Sequence, residues 1–328
     1  MNWHISRNGK KKWLPYLVGI MVLLATIHFS SGYYRRQARE LMGDANQKLL
    51  AAAVVNDLET MRKVLPQANV NFQGMEQWSA MHLAAHEGFT EEISLLAEHG
   101  ARLEIRTNFL WTPLHWAVYQ QHPQSAIRLL QLGADVNAAN MTGNTALHFC
   151  GFNNDPRMAA ILLHFGADIN RRNLSGSTPL DYAVHQNATE TVAFLLKAHA
   201  DPNSGKGQGV KGKDSQPPLA RAAMLGFPEM VRLLLAYHAN INLPDAGGNT
   251  PLHEAVRRNH PDIVIMLLAD RQCRPLVKNT GGKTALDLCR NPDIRKIMLS
   301  RITELVFSSV KSTDDRNIIF ATPFQRHF

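Results

Sequence analysis

Apolar positions recur along this chain with a period far longer than a helical turn. One series runs Met81, Leu114, Leu147, Leu180, Leu219, Leu252 and Leu286, and a second runs Leu96, Leu129, Leu162, Leu195, Leu234 and Leu267. Between them lies a column of small side chains only: Ala84, Ala117, Cys150, Ala183, Ala222, Ala255 and Cys289. All three keep one register relative to Ser79, Thr112, Thr145, Thr178, Pro217, Thr250 and Thr284, whose spacings are 33, 33, 33, 39, 33 and 34. A fixed period of that length predicts stacked supersecondary units, each burying its apolar face against its neighbours. Each unit should hold two helices, the first bearing the small column where its backbone approaches the next unit. Nine residues past each anchor stand Gly88, Gln121, Asn154, Asn187, Gly226 and Asn259. A first helix that reverses into a second needs a left-handed residue there, which Gly and Asn supply cheaply. Gln121 does not, so strain or a different turn is expected at that unit.

The wording of the units is as regular as their spacing. Trp111-Thr112-Pro113-Leu114-His115 is followed by Leu132-Gly133-Ala134-Asp135-Val136-Asn137. Thirty-three residues on come Asn144-Thr145-Ala146-Leu147-His148 and Phe165-Gly166-Ala167-Asp168-Ile169-Asn170. The chain therefore resembles the ankyrin-repeat family. The resemblance implies an all-α ankyrin-repeat solenoid of helix-turn-helix units joined by short β-hairpins, a binding scaffold with no catalysis and no cofactor. A weaker unit precedes Ser79, with Ala51 and Ala52 in the small column, as suits a terminal cap. The last unit, from Thr284, is shortened by Pro292. About eight units are expected over residues 45–303, with an insertion near 204–215 and a tail over 304–328.

The net charge of +8 changes this picture only at one end. Residues 1–48 carry eight Lys/Arg against two Asp/Glu, so the remaining 280 residues share a net +2. A nearly neutral repeat domain argues against nucleic acid as the partner, since a basic footprint is its electrostatic sign. Residues 1–12 form a basic tail. No ionised side chain follows between Lys12 and Arg35, and this run of 22 residues exceeds the roughly 20 helical residues that cross a bilayer. Trp13 and Tyr16 mark one end, Tyr33 and Tyr34 the other, where interfacial aromatics belong. Residues 13–34 are thus expected to be a transmembrane signal-anchor in an inner or plasma membrane, with the lipid bilayer as partner and residues 35–44 as linker. Lys10-Lys11-Lys12 favour a cytoplasmic N-terminus, which places the repeats on the non-cytoplasmic (periplasmic) side. A cleaved signal peptide, with Ser30-Ser31-Gly32 as a poor cleavage site, is the rival reading. The chain would then be a secreted or exported effector.

The chemical motifs in the chain are incomplete or have a structural reading. His82, His115, His148 and His253 share one signature column, where the resemblance implies a structural hydrogen bond within the hairpin rather than a metal array. Gly207 to Lys213 imitates a phosphate-binding loop, but Asp214 stands where Ser or Thr must hold Mg²⁺. Cys150 and Cys289 sit in the small column, and Cys273 reads as a free thiol in a loop. No catalytic set, metal or cofactor is implied.

The resemblance also implies where a protein partner docks: the hairpin tips, the residue before each anchor, and residues seven and eight after it form a concave face. The candidates are Trp78, His86, Phe109, Leu110, Trp111, Tyr119, Phe152, His185, Arg257 and Arg258. The alternative for Trp78 and Trp111 is that they only cover neighbouring hairpins. As contacts, Trp111 and Tyr119 should be replaceable by Ala without loss of stability. The function expected is a membrane-tethered protein–protein interaction scaffold or adaptor.

Overall fold

Thr at a unit anchor is a good helix N-cap, because its hydroxyl can satisfy an orphan backbone N–H. The chain uses it so. In the structure, a computed structural model that describes residues 44–205 and 216–317, Ser79, Thr112, Thr145, Thr178 and Thr250 each cap the first helix of a unit. Seven helix pairs follow one another: α1 (Ala45–Val55) with α2 (Leu58–Val64), α3 (Ala80–Glu87) with α4 (Thr90–Glu98), and α5 (Pro113–Tyr119) with α6 (Pro123–Gln131). Then come α7 (Ala146–Asn153) with α8 (Pro156–His164) and α9 (Pro179–His185) with α10 (Thr189–Lys197). The last pairs are α11 (Pro218–Leu225) with α12 (Pro228–Ala236) and α13 (Pro251–Arg257) with α14 (Pro261–Ala269). An eighth unit replaces its first helix by a 3-10 turn at Leu286–Leu288 and ends in α15 (Pro292–Asn317). First helices pack on first helices and second on second, so the solenoid has two layers.

The core lies between those layers. Leu96, Leu129, Leu162, Leu195, Leu234 and Leu267 are wholly buried, and so is every alanine of the small column. All three cysteines are free and buried; Cys273 is the free loop thiol expected, and burial pushes it up to about 11. The residue nine past each anchor is left-handed in all six units, Gln121 included at φ 60°. Gln121 thus keeps the common turn and carries strain, on the order of 1 kcal/mol for a residue with a Cβ. His199 and His238 do the same after the second helices, where other units have Gly100, Gly133 and Gly166.

The expected β-hairpins are not formed as strands; the described residues contain none. Each tip is closed by one backbone bond four residues apart, such as Asn140 N–H to the Asn144 carbonyl and Asn173 N–H to that of Ser177, both 2.9 Å. The side chain of Asn140, Asn173, Asp245 or Asn279 accepts from the N–H groups two and four residues on, making a compact turn too short for a ladder. Tips are joined by single backbone bonds, such as Met141 N–H to Phe109 O and Leu174 N–H to Thr142 O, both 3.0 Å.

The expected boundary at 303/304 falls inside α15, which runs unbroken from Pro292 to Asn317. Among the described residues no helix is long and apolar enough to cross a membrane. The span expected over 13–34 and the insertion from 206 to 215 lie outside the described residues.

Gly151 on α7 shows how closely the units meet. A Cβ there would come within 2.8 Å of Ala183 N and of Pro179 O, both backbone atoms of α9. Replacing a helical Gly by Ala ordinarily gains about 1 kcal/mol. Gly151→Ala is expected to reverse that sign and destabilise by about 1–3 kcal/mol through overpacking. A thermal melt that rises or stays level would show that α7 and α9 are farther apart than described.

Candidate protein-interaction surface

The histidine column is built into the frame. The backbone N–H of Thr112 donates to His115 Nδ1 at 3.1 Å and the Thr112 hydroxyl lies 2.9 Å from the same atom. Nδ1 is therefore the acceptor, and the proton sits on Nε2, 3.1 Å from the Asn144 carbonyl of the next unit. His82 reaches Trp111 O, His148 reaches Ser177 O and His253 reaches Lys283 O in the same way, each at 3.1 Å. The bond thus runs between units, not within one hairpin as expected. Burial holds His82, His115 and His148 at about 4, so each imidazole is neutral. Asp181 replaces the imidazole in its unit, accepting from Thr178 N–H and Oγ1 and from Ser204 Oγ. Among the described residues no group of His, Cys, Asp and Glu could hold a metal ion.

The structure sorts the ten candidate contacts into floor, surface and far end. Trp78 and Trp111 are buried, Trp111 with only 1% of its surface exposed. Between them lies Trp116, which sequence reasoning passed over, with ring centroids 4.5 Å from each. Phe149 continues the stack 4.6 Å beyond Trp111. Among the described residues neither Trp111 nor Trp116 has an acceptor for its indole N–H, so apolar contact holds them. The expectation that Trp78 and Trp111 are contacts is corrected: both are the packed floor. His86 is nearly buried too, edge-on to Trp78 and Trp116, with Nδ1 2.9 Å from Glu87 Oε1 and Nε2 against Gln120.

Above this floor the surface is apolar. Half-buried Tyr119 stacks on Phe152 at 6.0 Å and 24°, and Phe152 is 41% exposed. At the tip of the same unit as Tyr119, Phe109 is half-buried and Leu110, in left-handed backbone, is exposed. Met75, Met141 and Leu174 extend that tip stripe with 66, 46 and 77% exposure. Sequence reasoning missed them, though all three stand four residues before an anchor. His185 is half-buried one unit beyond Phe152, and the exposed Arg257 and Arg258 lie three units beyond it. Arg257 sets its guanidinium against the buried carboxylate of Glu254.

The family of ankyrin repeats, described in blocks of three copies, matches residues 49–140, 137–206 and 204–279. The chain belongs to the ankyrin-repeat family. It is 36% identical to Rabankyrin-5 of Mus musculus over 81 residues, which are 25% of this chain and 7% of that protein. It is 33% identical to the probable 26S proteasome regulatory subunit p28 of Saccharomyces cerevisiae over 95 residues, 28% of this chain and 41% of that one. These matches span well under two thirds of either relative. Among solved structures the chain is similar to the ankyrin repeat domain of Bcl-3, a member of the IkappaB protein family. That likeness has TM-score 0.60 and 30% identity over 66% of this chain and 96% of that one. The human ASB11 ankyrin repeat domain gives TM-score 0.59 and 26% identity over 68% and 98%. Ankyrin repeats are protein–protein interaction modules, and this chain has their fold.

One buried group departs from the rest of its column. Glu92 on α4 is fully buried in a column that elsewhere holds Ser125, Met158, Thr191, Met230 and Ile263, and among the described residues neither carboxylate oxygen has a hydrogen-bond partner. Burial first, then the nearby charges of Asp57 and Glu87, push its pKa up to about 8 from 4.5. The folded chain then holds a proton that the unfolded chain lacks, so stability falls as pH rises through that window. His82, His115 and His148, pushed down to about 4 from 6.5, act oppositely: stability rises with pH between those values. Urea midpoints should therefore peak near pH 6.5, at the usual histidine value, and decline above it. Glu92→Gln should abolish the decline and keep the acid limb; an unchanged alkaline decline would clear Glu92 of the effect. The floor predicts a second contrast. Trp111→Ala should cost about 3–5 kcal/mol as a buried aromatic, while Phe152→Ala should leave the melting temperature nearly level, and equal losses would contradict the layering.

Proposed function

We propose that the chain holds a protein-binding ankyrin surface at a membrane, as a tethered interaction scaffold or adaptor that performs no catalysis. One observation carries the binding reading: Phe152, stacked on Tyr119 at the edge of a buried aromatic floor, and the tip residues Leu110, Met141 and Leu174 are all exposed. Apolar side chains held on a rigid base lose little freedom when a partner covers them, which is how interface anchors are built. Residues 13–34 supply the tether in this reading, through the uncharged run between Lys12 and Arg35. Lys10-Lys11-Lys12 before the span set the repeats on the non-cytoplasmic side, the periplasm in a bacterial cell.

Site-specific photocrosslinking in membranes tests both halves. Benzoylphenylalanine in place of Phe152 or Met141 should form a protein adduct, and in place of Ile265, exposed on α14 of the outer layer, should not. Adducts from position 265 alone would move the partner to the other face. The chain should stay in the membrane pellet after a carbonate wash, and a cytoplasm-dependent reporter fused after Phe328 should stay silent. Release of a chain beginning near Gly32 would replace the tether by the cleaved, exported form.

A further inference from the structure

The charge of the repeat domain is small in sum and strongly sorted in space. Residues 44–104 contain four Lys/Arg and nine Asp/Glu, whereas residues 257–301 contain ten and four. The sorting reaches the concave face. At its first units Glu76 stands exposed beside Met75 and Glu87 lies against His86. At its far end Arg258 is exposed, and an Asn291 to Asn259 side-chain bond of 2.7 Å sets the exposed Arg290 in the neighbouring unit beside it. Lys283, at the tip of the same neighbouring unit, is exposed too, and its carbonyl takes the His253 bond from α13. Arg257 is matched by Glu254, and Asp287 is held by the N–H and hydroxyl of Thr284. Arg258, Arg290 and Lys283 are left facing solvent, with no carboxylate within ion-pair distance among the described residues. The face thus grades from acidic and aromatic, through the apolar patch at Leu110, Met141, Phe152 and Leu174, to basic.

A partner that fits this gradient must be apolar where Phe152 stands and negative where Arg258 stands. Three units separate them, about 25–30 Å at the usual helix packing distance of 8–10 Å. An extended chain covers that span in about eight or nine residues at 3.3 Å each. We infer that the occupant of the concave face is a linear protein segment with an apolar anchor and, about eight to ten residues away, a cluster of Asp and Glu. This rests on the proposed protein-binding surface and adds the partner's chemistry and its direction along the solenoid. The acidic first units repel the same cluster, so one orientation is favoured over its reverse. Nucleic acid does not fit, because the apolar patch and the acidic units occupy most of the face.

Selection from a random 16-residue peptide library on the immobilised full-length chain tests this. The selected peptides should carry Phe, Leu or Met with Asp and Glu about eight to ten positions off. Fluorescence anisotropy of a selected peptide should show binding weakened about tenfold or more, over 1.4 kcal/mol, by Arg258→Glu with Arg290→Glu, a pair that leaves Arg257 on Glu254. Phe152→Ala should weaken it comparably, and added salt should weaken the unaltered protein, a readout independent of whether the variants fold. Peptides without acidic bias, or binding indifferent to both salt and charge reversal, would overturn the inference. If such uncharged peptides still require Phe152, the protein-binding surface stands and only its charge reading fails. Loss of affinity in favour of self-association of the chain would also overturn it, by making a second copy the occupant.

Discussion

The bond from a buried imidazole to the next unit's carbonyl is the constraint on which the rest depends. A solenoid has no long-range closure, so each unit must hold its neighbour with contacts made at one seam. Here the same histidine that completes the N-cap box of its own helix spends its remaining N–H on the neighbour. The tautomer leaves no choice in the matter: with Nδ1 accepting, only Nε2 can donate. The seam therefore fixes the register between units as well as the start of each helix. Asp181 cannot donate in this way, and its unit instead draws in Ser204 at the edge of the insertion. The one six-residue break in the repeat spacing falls where the staple changes chemistry.

That seam lets the inner helices come close, and closeness decides the side chains. Alanine or cysteine fills the small column, which is buried, and at Gly151 on α7 even a Cβ would meet the backbone of α9. Turns take up the remaining geometry. Left-handed residues end both helices in the five units from Ser79 to Pro217, and where the chain offers Gln121, His199 or His238 the packing imposes the same backbone on them. The tips keep the asparagine or aspartate side-chain turn and touch their neighbours through single backbone bonds, which spaces them along the solenoid without forming a sheet.

Binding capacity grows out of this frame. Trp78, Trp116, Trp111 and Phe149 pack ring against ring, tilted, across three units and give the inner face a rigid floor. Rigidity beneath and exposure above are what an interface anchor needs. Tyr119 and Phe152 satisfy both, being stacked on each other at the edge of that floor. Glu92 works against the frame, buried with no partner among residues that are otherwise short or apolar.

The sequence by itself determined the unit length, the anchors, the buried leucine and small-residue columns, and hence the family and the solenoid. It could do so because these positions see the same local surroundings in every unit, and repetition averages away the exceptions. Trp111 shows where that reasoning stops. Its column adjoins the hairpin tip and can face either solvent or the floor; which one is decided by Trp116 and Phe149, on α5 and on the next unit's α7. Exposure of Met141 and Leu174 was equally a tertiary outcome, since an apolar residue in a turn is buried or bare according to what the adjacent tip covers. The length of α15 was hidden for a related reason: the shortened last unit reads as an ending, while Arg301 bonding to the Leu268 carbonyl carries the helix on past it. Contacts between units, which no column of one unit can encode, settled each of these.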